Sequence, residues 1–192
     1  MAVSTLDSDT ALVVIDLQHG ITALPTVDSA DEIVAKAGRL ARAFRERGLP
    51  VVLVRTDFSA DRGDALDLRA DAPPPPVTPS ADFAELRPEL DHHPSDIVIT
   101  KRQWDAFYGT ELDLQLRRRR ITTIVLAGIS TSIGVESTAR QANSHAYQLA
   151  IAADAVTDLV RAAHNNSLRT ILPRLGQIDT TDAVITALPL PG

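Results

Sequence analysis

The sequence predicts a three-layer α/β/α sandwich built on a doubly wound, mostly parallel sheet of about six strands. Three observations carry that expectation. Short apolar runs rich in β-branched residues recur along the chain: ALVVID (11–16), VVLVRT (51–56), IVIT (97–100) and TIVLAG (123–128). Their length and composition suit strands buried on both faces. Amphipathic segments with helical spacing lie between them, and the two kinds of segment alternate throughout, as crossover connections in a parallel sheet require. Finally, the 192 residues are 44% hydrophobic and 23% charged, a length and balance that suit one substantial core. A single domain over residues 1–192 is expected.

Taken in order, the first run ends in Asp16. SADEIVAKAGRLARAFRERG (29–48) opens with the capping box Ser29-x-x-Glu32 and sets Ile33, Ala37, Leu40, Ala41 and Phe44 on one helical face, with Gly48 as the stop. After the second run, residues 57–79 hold Asp, Arg, Gly and the run Pro73 to Pro76, which forbid regular structure. A loop this long in a compact domain is a lid, an interface, or mobile. The third run ends at Thr100 and Lys101. Leu112 and Leu116 then share a helical face that ends in Arg117 to Arg120. Positive charge suits the C-terminal end of a helix, so these arginines read as a solvated helix end rather than an anion site.

The fourth run leads into a helix over Ile133 to Ala146, whose small residues Val135, Ala139, Ala142 and Ala146 allow close packing on the sheet. QLAIAAD (148–154) is a fifth, weaker strand. Leu168, Ile171, Leu172 and Leu175 predict a final long helix, and a short sixth strand is expected near Gln177 to Asp179.

Composition also excludes classes of function. A formal net charge of −6 disfavours nucleic acid, whose binding rests on Lys and Arg neutralising phosphates. No stretch approaches the roughly 18 apolar residues of a membrane span, and MAVSTLDSDTALVVID lacks the basic start of a secretory signal. A cytoplasmic protein acting on a small molecule is the expectation. The chain has no cysteine, so it supplies no disulfide, thiolate metal ligand or thiol nucleophile.

In a doubly wound sheet, ligands bind outside the carboxyl ends of the strands. Here those ends carry Asp16, then Thr100 and Lys101, then Gly128 to Gly134, so an acid, a cationic partner and a helix start converge on one crevice. The segments that hold them, ALVVIDLQHGI, TKRQWDAFYGTELDLQL, VLAGISTSIGVESTARQA and AADAVTDL, together resemble the isochorismatase-like hydrolases, a superfamily that includes nicotinamidases and other cysteine amidohydrolases. The resemblance covers nearly the whole chain in order. It implies that Asp16 is a general acid or base and that Lys101 is its partner. It matches Gly128 to Val135 to a motif of the form G-[IV]-x-T-x-x-C-V, which places Gly134 where most members carry a nucleophilic cysteine. It also implies a cis peptide at Ile129-Ser130 that aims N–H groups at an oxyanion. Gln18, Trp104, Phe107 and Tyr108 match positions that line the pocket, together with Ile129, Ser130, Thr131 and Ile133 of the motif. Trp104 is equally readable as a packing residue.

Without sulfur at residue 134, the thioester route is closed. The isochorismatase branch implies another: the aspartate protonates the double bond of a vinyl ether, water adds to the oxocarbenium ion, and pyruvate leaves. A second thiol-free route uses Asp16 as a base that activates water. Burial raises a carboxyl pKa and a nearby ammonium lowers it, so the resting state of Asp16 stays open. Among hydroxyls near residue 134, Thr131 and Ser132 are expected to cap the helix or bind backbone. Nicotinamidases hold a divalent metal through Asp-x-His and a later His, whereas the matching RTDFSADRG (55–63) has no histidine. No metal or cofactor is therefore expected. His19 follows Asp16 closely enough to reach the pocket, while His92 and His93 read as solvated and His145 and His164 as structural. The reading is thus a thiol-independent hydrolase, or alternatively a catalytically silent relative that binds a metabolite. The resemblance further implies a homodimer or homotetramer.

Overall fold

The computed structural model describes residues 3–66, 69–71 and 80–190. Its elements are β1 (Thr10–Ile15), α1 (His19–Thr22), α2 (Ala30–Arg45), β2 (Val51–Thr56), β3 (Ile97–Lys101), α3 (Leu112–Arg118), β4 (Thr123–Ile129), α4 (Glu136–Ser144), β5 (Gln148–Thr157), α5 (Arg161–Asn166), β6 (Gln177–Asp179) and α6 (Thr181–Ala187). The six strands form one parallel sheet in the order β3-β2-β1-β4-β5-β6. The chain reverses its direction of winding between β1 and β4, and a crevice opens at that switch point.

Alternation along the strands feeds two cores. Leu12, Val14, Leu53, Val125 and Ala127 pack under α2 and α6 with Leu40, Phe44 and Val184. Ala11, Val13, Ile15, Val52, Val54 and Ile99 pack under α3 and α4 with Leu112, Leu116, Ala139 and Ala142. Helix α2 starts where the capping residue sets it, with Ser29 Oγ accepting from the Glu32 N–H at 3.4 Å. It stops at Gly48, whose φ of 67° lies in the left-handed region. No helix among the described residues is long and apolar enough to cross a membrane.

Several boundaries differ from the sequence reading. The expected helix over 133–146 is a π-helical turn, Thr131–Val135, continued by α4. The final long helix is broken into α5, a π turn at Ser167–Ile171 and a 3-10 turn at Leu172–Arg174. Pro173 falls inside that last turn, where its missing N–H and its ring disfavour a continued α-helix. Strand β5 runs on to Thr157, and its ladder with β4 shifts register between Leu126 and Gly128. Helix α6 was not foreseen; Thr180 caps it by accepting from the Ala183 N–H at 3.3 Å. Residues 57–66 and 69–71 hold turns and bends but no helix or strand, and the run Pro73 to Pro76, on which the reading as a lid, an interface or a mobile loop centred, lies outside the described residues.

Candidate active site

Asp16 follows the last residue of β1, and its φ of 53° ends the strand's alternation. Continued alternation would send its side chain toward α2. Instead the carboxylate meets Thr56 and Lys101, which continue the rows of Val52 and Val54 on β2 and of Ile97 and Ile99 on β3. Lys101 Nζ lies 2.7 Å from Asp16 Oδ2. It also donates to Thr56 Oγ1 and to the Gln103 carbonyl, each at 3.0 Å. The Thr56 hydroxyl in turn donates to Asp16 Oδ1 at 3.1 Å. Asp16 is 6% and Lys101 3% exposed, so the pair is desolvated yet fully hydrogen-bonded, as buried charges must be. Burial pushes the Asp16 carboxyl above its ordinary value, against the opposing pull of the Lys101 charge and of the bonds from Lys101 and Thr56. The carboxyl is thereby suited to holding a proton and giving it up.

The opposite wall is backbone. Gly128 has a φ of 124°, and a Cβ there would fall 2.0 Å from the Ile15 carbonyl, so only glycine lets β4 run this close to β1. Beyond it comes the cis Ile129-Ser130 bond, then the π turn, in which the Ile133 and Val135 N–H groups both donate to the Ser130 carbonyl at 3.1 Å. Side chains from distant segments clamp this turn. Asp158, 1% exposed, accepts from the Ser132 N–H at 2.6 Å. His164 Nδ1 lies 2.9 Å from Thr131 Oγ1. Behind His164, Asp28 binds both terminal nitrogens of Arg161, at 2.6 and 3.1 Å. Those bonds hold the Asp28 carboxyl below its usual range, while burial lowers the pKa of His164.

At the centre of the turn Gly134 is buried and faces the acid. A Cβ built on it would stand 3.4 Å from Asp16 Oδ2, 3.3 Å from the Ile129 carbonyl and 2.9 Å from Ile15 Cγ2. A side chain at this position would therefore reach the Asp16 carboxyl group. The last of the three distances is shorter than a carbon pair tolerates, so Ile15 already occupies part of the space.

The expected site residues thus separate. Asp16, Lys101, Gly134, Ser130, Thr131 and Ile133 come together at the crevice, although Thr131 is fully buried and its hydroxyl binds His164 rather than capping a helix. Ile129 offers its carbonyl to the crevice while its side chain sits in the core beneath α2. Gln18 is a correction: it has no exposed surface, and its carboxamide is consumed by backbone groups of Thr56 and Phe83. Phe107 is another, since it is buried and its ring stacks on His145 with centroids 5.2 Å apart. Trp104 and Tyr108 are 62% and 74% exposed, which removes the packing reading of Trp104. His19 is half-exposed, with Nδ1 3.6 Å from Asp82. Thr56, Asp158 and the contact between His164 and Thr131 had not been assigned to the site. No group of three or more His, Cys, Asp or Glu suited to a metal occurs among the described residues.

Comparison with known proteins places this arrangement in context. Residues 10–183 match the isochorismatase domain. The uncharacterized isochorismatase family protein YecD of Escherichia coli O157:H7 is 50% identical over 182 residues, covering 93% of this chain and 96% of that one. The solved structure of an isochorismatase family protein from Burkholderia thailandensis superposes with a TM-score of 0.92 at 46% identity, covering 97% and 98% of the two chains. Weaker likenesses reach a ureidoacrylate amidohydrolase of Variovorax paradoxus, 27% identical over 205 residues (91% and 79% covered), and the phenazine biosynthesis protein PhzD1 of Pseudomonas aeruginosa, 29% identical over 157 residues (80% and 73% covered). The sheet order, the acid–lysine pair and these matches lead to one conclusion: the chain belongs to the isochorismatase family, whose members are hydrolases.

Proposed function

We propose that the protein hydrolyses a vinyl ether of a small organic acid by proton chemistry at Asp16, without a covalent enzyme intermediate. One observation carries this reading: a buried Asp16–Lys101 contact of 2.7 Å faces a residue with no side chain, in a chain that has no cysteine. Asp16 gives its proton to the terminal carbon of the C=C bond, whose π electrons form the new C–H bond and leave an oxocarbenium ion. Water attacks the oxygen-bearing cationic carbon of that ion and returns a proton to the Asp16 carboxylate. The hemiketal then collapses, the C–O bond to the leaving alcohol breaks as that oxygen takes the hydroxyl proton, and pyruvate and the alcohol depart. Lys101 stabilises the carboxylate between the two transfers. Support comes from the raised pKa of Asp16, whereas the amidohydrolase named among the weaker relatives favours amides as the competing substrate class.

The test is a panel of enolpyruvyl ethers and of primary and ureido amides, scored for pyruvate and for ammonia. Pyruvate release is expected, with one deuterium in its methyl group when the reaction runs in D2O. Asp16→Asn should lower kcat by about 10²–10⁴-fold. Ammonia release from amides with no turnover of ethers would overturn the reading. Silence across the panel would favour a metabolite-binding relative, detected as a ligand-induced rise in melting temperature. We also propose self-association into a homodimer or homotetramer; the exposed aromatic rings of Trp104 and Tyr108 are surface that such contact would cover, and sedimentation velocity reads it.

A further inference from the structure

Gln18 lies two residues beyond the acid, has no exposed surface and makes three hydrogen bonds with its carboxamide. Its Oε1 accepts from the Thr56 N–H at 2.7 Å, and its Nε2 donates to the Thr56 carbonyl at 2.8 Å and to the Phe83 carbonyl at 2.9 Å. Both backbone groups of one residue are thus gripped by one planar amide, which fixes Thr56 in orientation as well as position. Thr56 is also the residue whose hydroxyl bridges the pair, donating to Asp16 Oδ1 and accepting from Lys101 Nζ. The third bond reaches the far flank of the long loop, which is laced to the segment after Asp16 by further backbone bonds: His19 N–H to the Glu85 carbonyl at 2.9 Å, Gly20 N–H to Phe83 at 3.0 Å, and Arg87 N–H to Leu17 at 3.0 Å.

We infer that Gln18 is a positioning residue: it sets the Thr56 hydroxyl that orients the Asp16–Lys101 pair, and it ties both flanks of the 57–82 segment to that pair without touching substrate. The inference rests on Asp16 being the working acid. Its test reads the carboxyl of Asp16 directly, so that its failure is distinguishable from failure of the vinyl-ether reading.

The experiment is 13C NMR of protein labelled with aspartate carrying 13C in the side-chain carboxyl, with the Asp16 resonance assigned by its loss in Asp16→Asn. Thr56→Val removes a hydrogen bond to the charged form and should raise the Asp16 titration midpoint by about 1 pH unit. Thr56→Ser, which restores the hydroxyl, should return it to the wild-type value. Gln18→Met should move the midpoint in the same direction as Thr56→Val, and the double variant should move it no further than Thr56→Val alone, because the two residues act in series. Gln18→Asn, one methylene short, is the second variant and should give a smaller shift of the same sign. A folded Gln18 variant with the wild-type midpoint, or a double variant whose shifts add, overturns the inference. Failure of both Gln18 variants to fold also counts against it, since it would assign the residue to the fold rather than to the pair.

Discussion

On the β1–β3 side the crevice is lined by a buried ion pair, with Asp16 and Lys101 2.7 Å apart and the Thr56 hydroxyl bonded to both. Across from them, after β4, the wall is main chain. It offers no side chain at Gly134 and is clamped from behind by Asp158 and by the His164–Thr131 contact. The first side depends on a balance of charge in a low-dielectric setting, where removing one member leaves the other uncompensated. The second depends on backbone geometry and on separate hydrogen bonds, each of which is individually smaller than a buried ion pair. The difference locates the sensitive part of the crevice on the side of the buried ion pair.

Three perturbations break or sharpen that contrast. The largest effect is expected from Lys101→Met, which leaves a buried carboxylate without its cation. Chemical denaturation at pH 7 should show a loss of about 3–5 kcal/mol. The loss should shrink at acid pH as Asp16 takes up a proton. A loss under about 1 kcal/mol at neutral pH would mean that the pair is far better solvated than its burial implies.

A smaller effect should come from pH acting on the backbone side. Burial depresses the folded-state pKa of His164, so the unfolded chain binds its proton first as pH falls. Stability contributed by the neutral ring is therefore complete above about pH 6.5, the ordinary histidine value, and declines as pH drops from there toward the depressed folded value. Melting temperatures measured from pH 7.5 to 5 should show that decline in the native protein, and it should flatten in His164→Gln. Equal slopes in the two proteins would place the titrating group elsewhere.

The smallest shift belongs to Gly134→Ala. Alanine gains about 1 kcal/mol of helical propensity over glycine, while crowding a filled core costs about 1–3 kcal/mol. The net expectation is a destabilisation of about 1 kcal/mol by urea titration. A variant more stable than the parent would mean that Ile15 yields without resistance.

Most of the frame was legible from the residues. Buried runs such as ALVVID and TIVLAG leave a chain few options besides a covered parallel sheet, whereas Asp16, Lys101 and Gly134 were singled out by the resemblance of their motifs and only weakly by their place at strand ends. Less visible was anything set by a single backbone angle. No periodicity foretells a φ of 53° at Asp16, yet that angle brings its carboxylate to Thr56. Contacts such as Ser132 with Asp158 and Thr131 with His164 join segments 26 and 33 residues apart, and hydroxyl, carboxylate and imidazole leave no local pattern in such cases. Gln18 and Phe107 were placed at the pocket by their match to family positions beside Asp16 and Lys101, whereas the fold turns their side chains inward. The broken helix after Val160 was read as continuous because apolar spacing does not distinguish α from π turns, even with Pro173 in view.

The methyl group of Ile15 that leans 2.9 Å from where a residue-134 side chain would begin makes the two positions interdependent. Installing a thiol at 134 by one codon change would meet an occupied space, and trimming residue 15 alone would open a hole under β1. A thiol at 134 and a full isoleucine at 15 therefore compete for the same space, so a thiol-bearing crevice of this shape calls for a smaller or shifted side chain at residue 15.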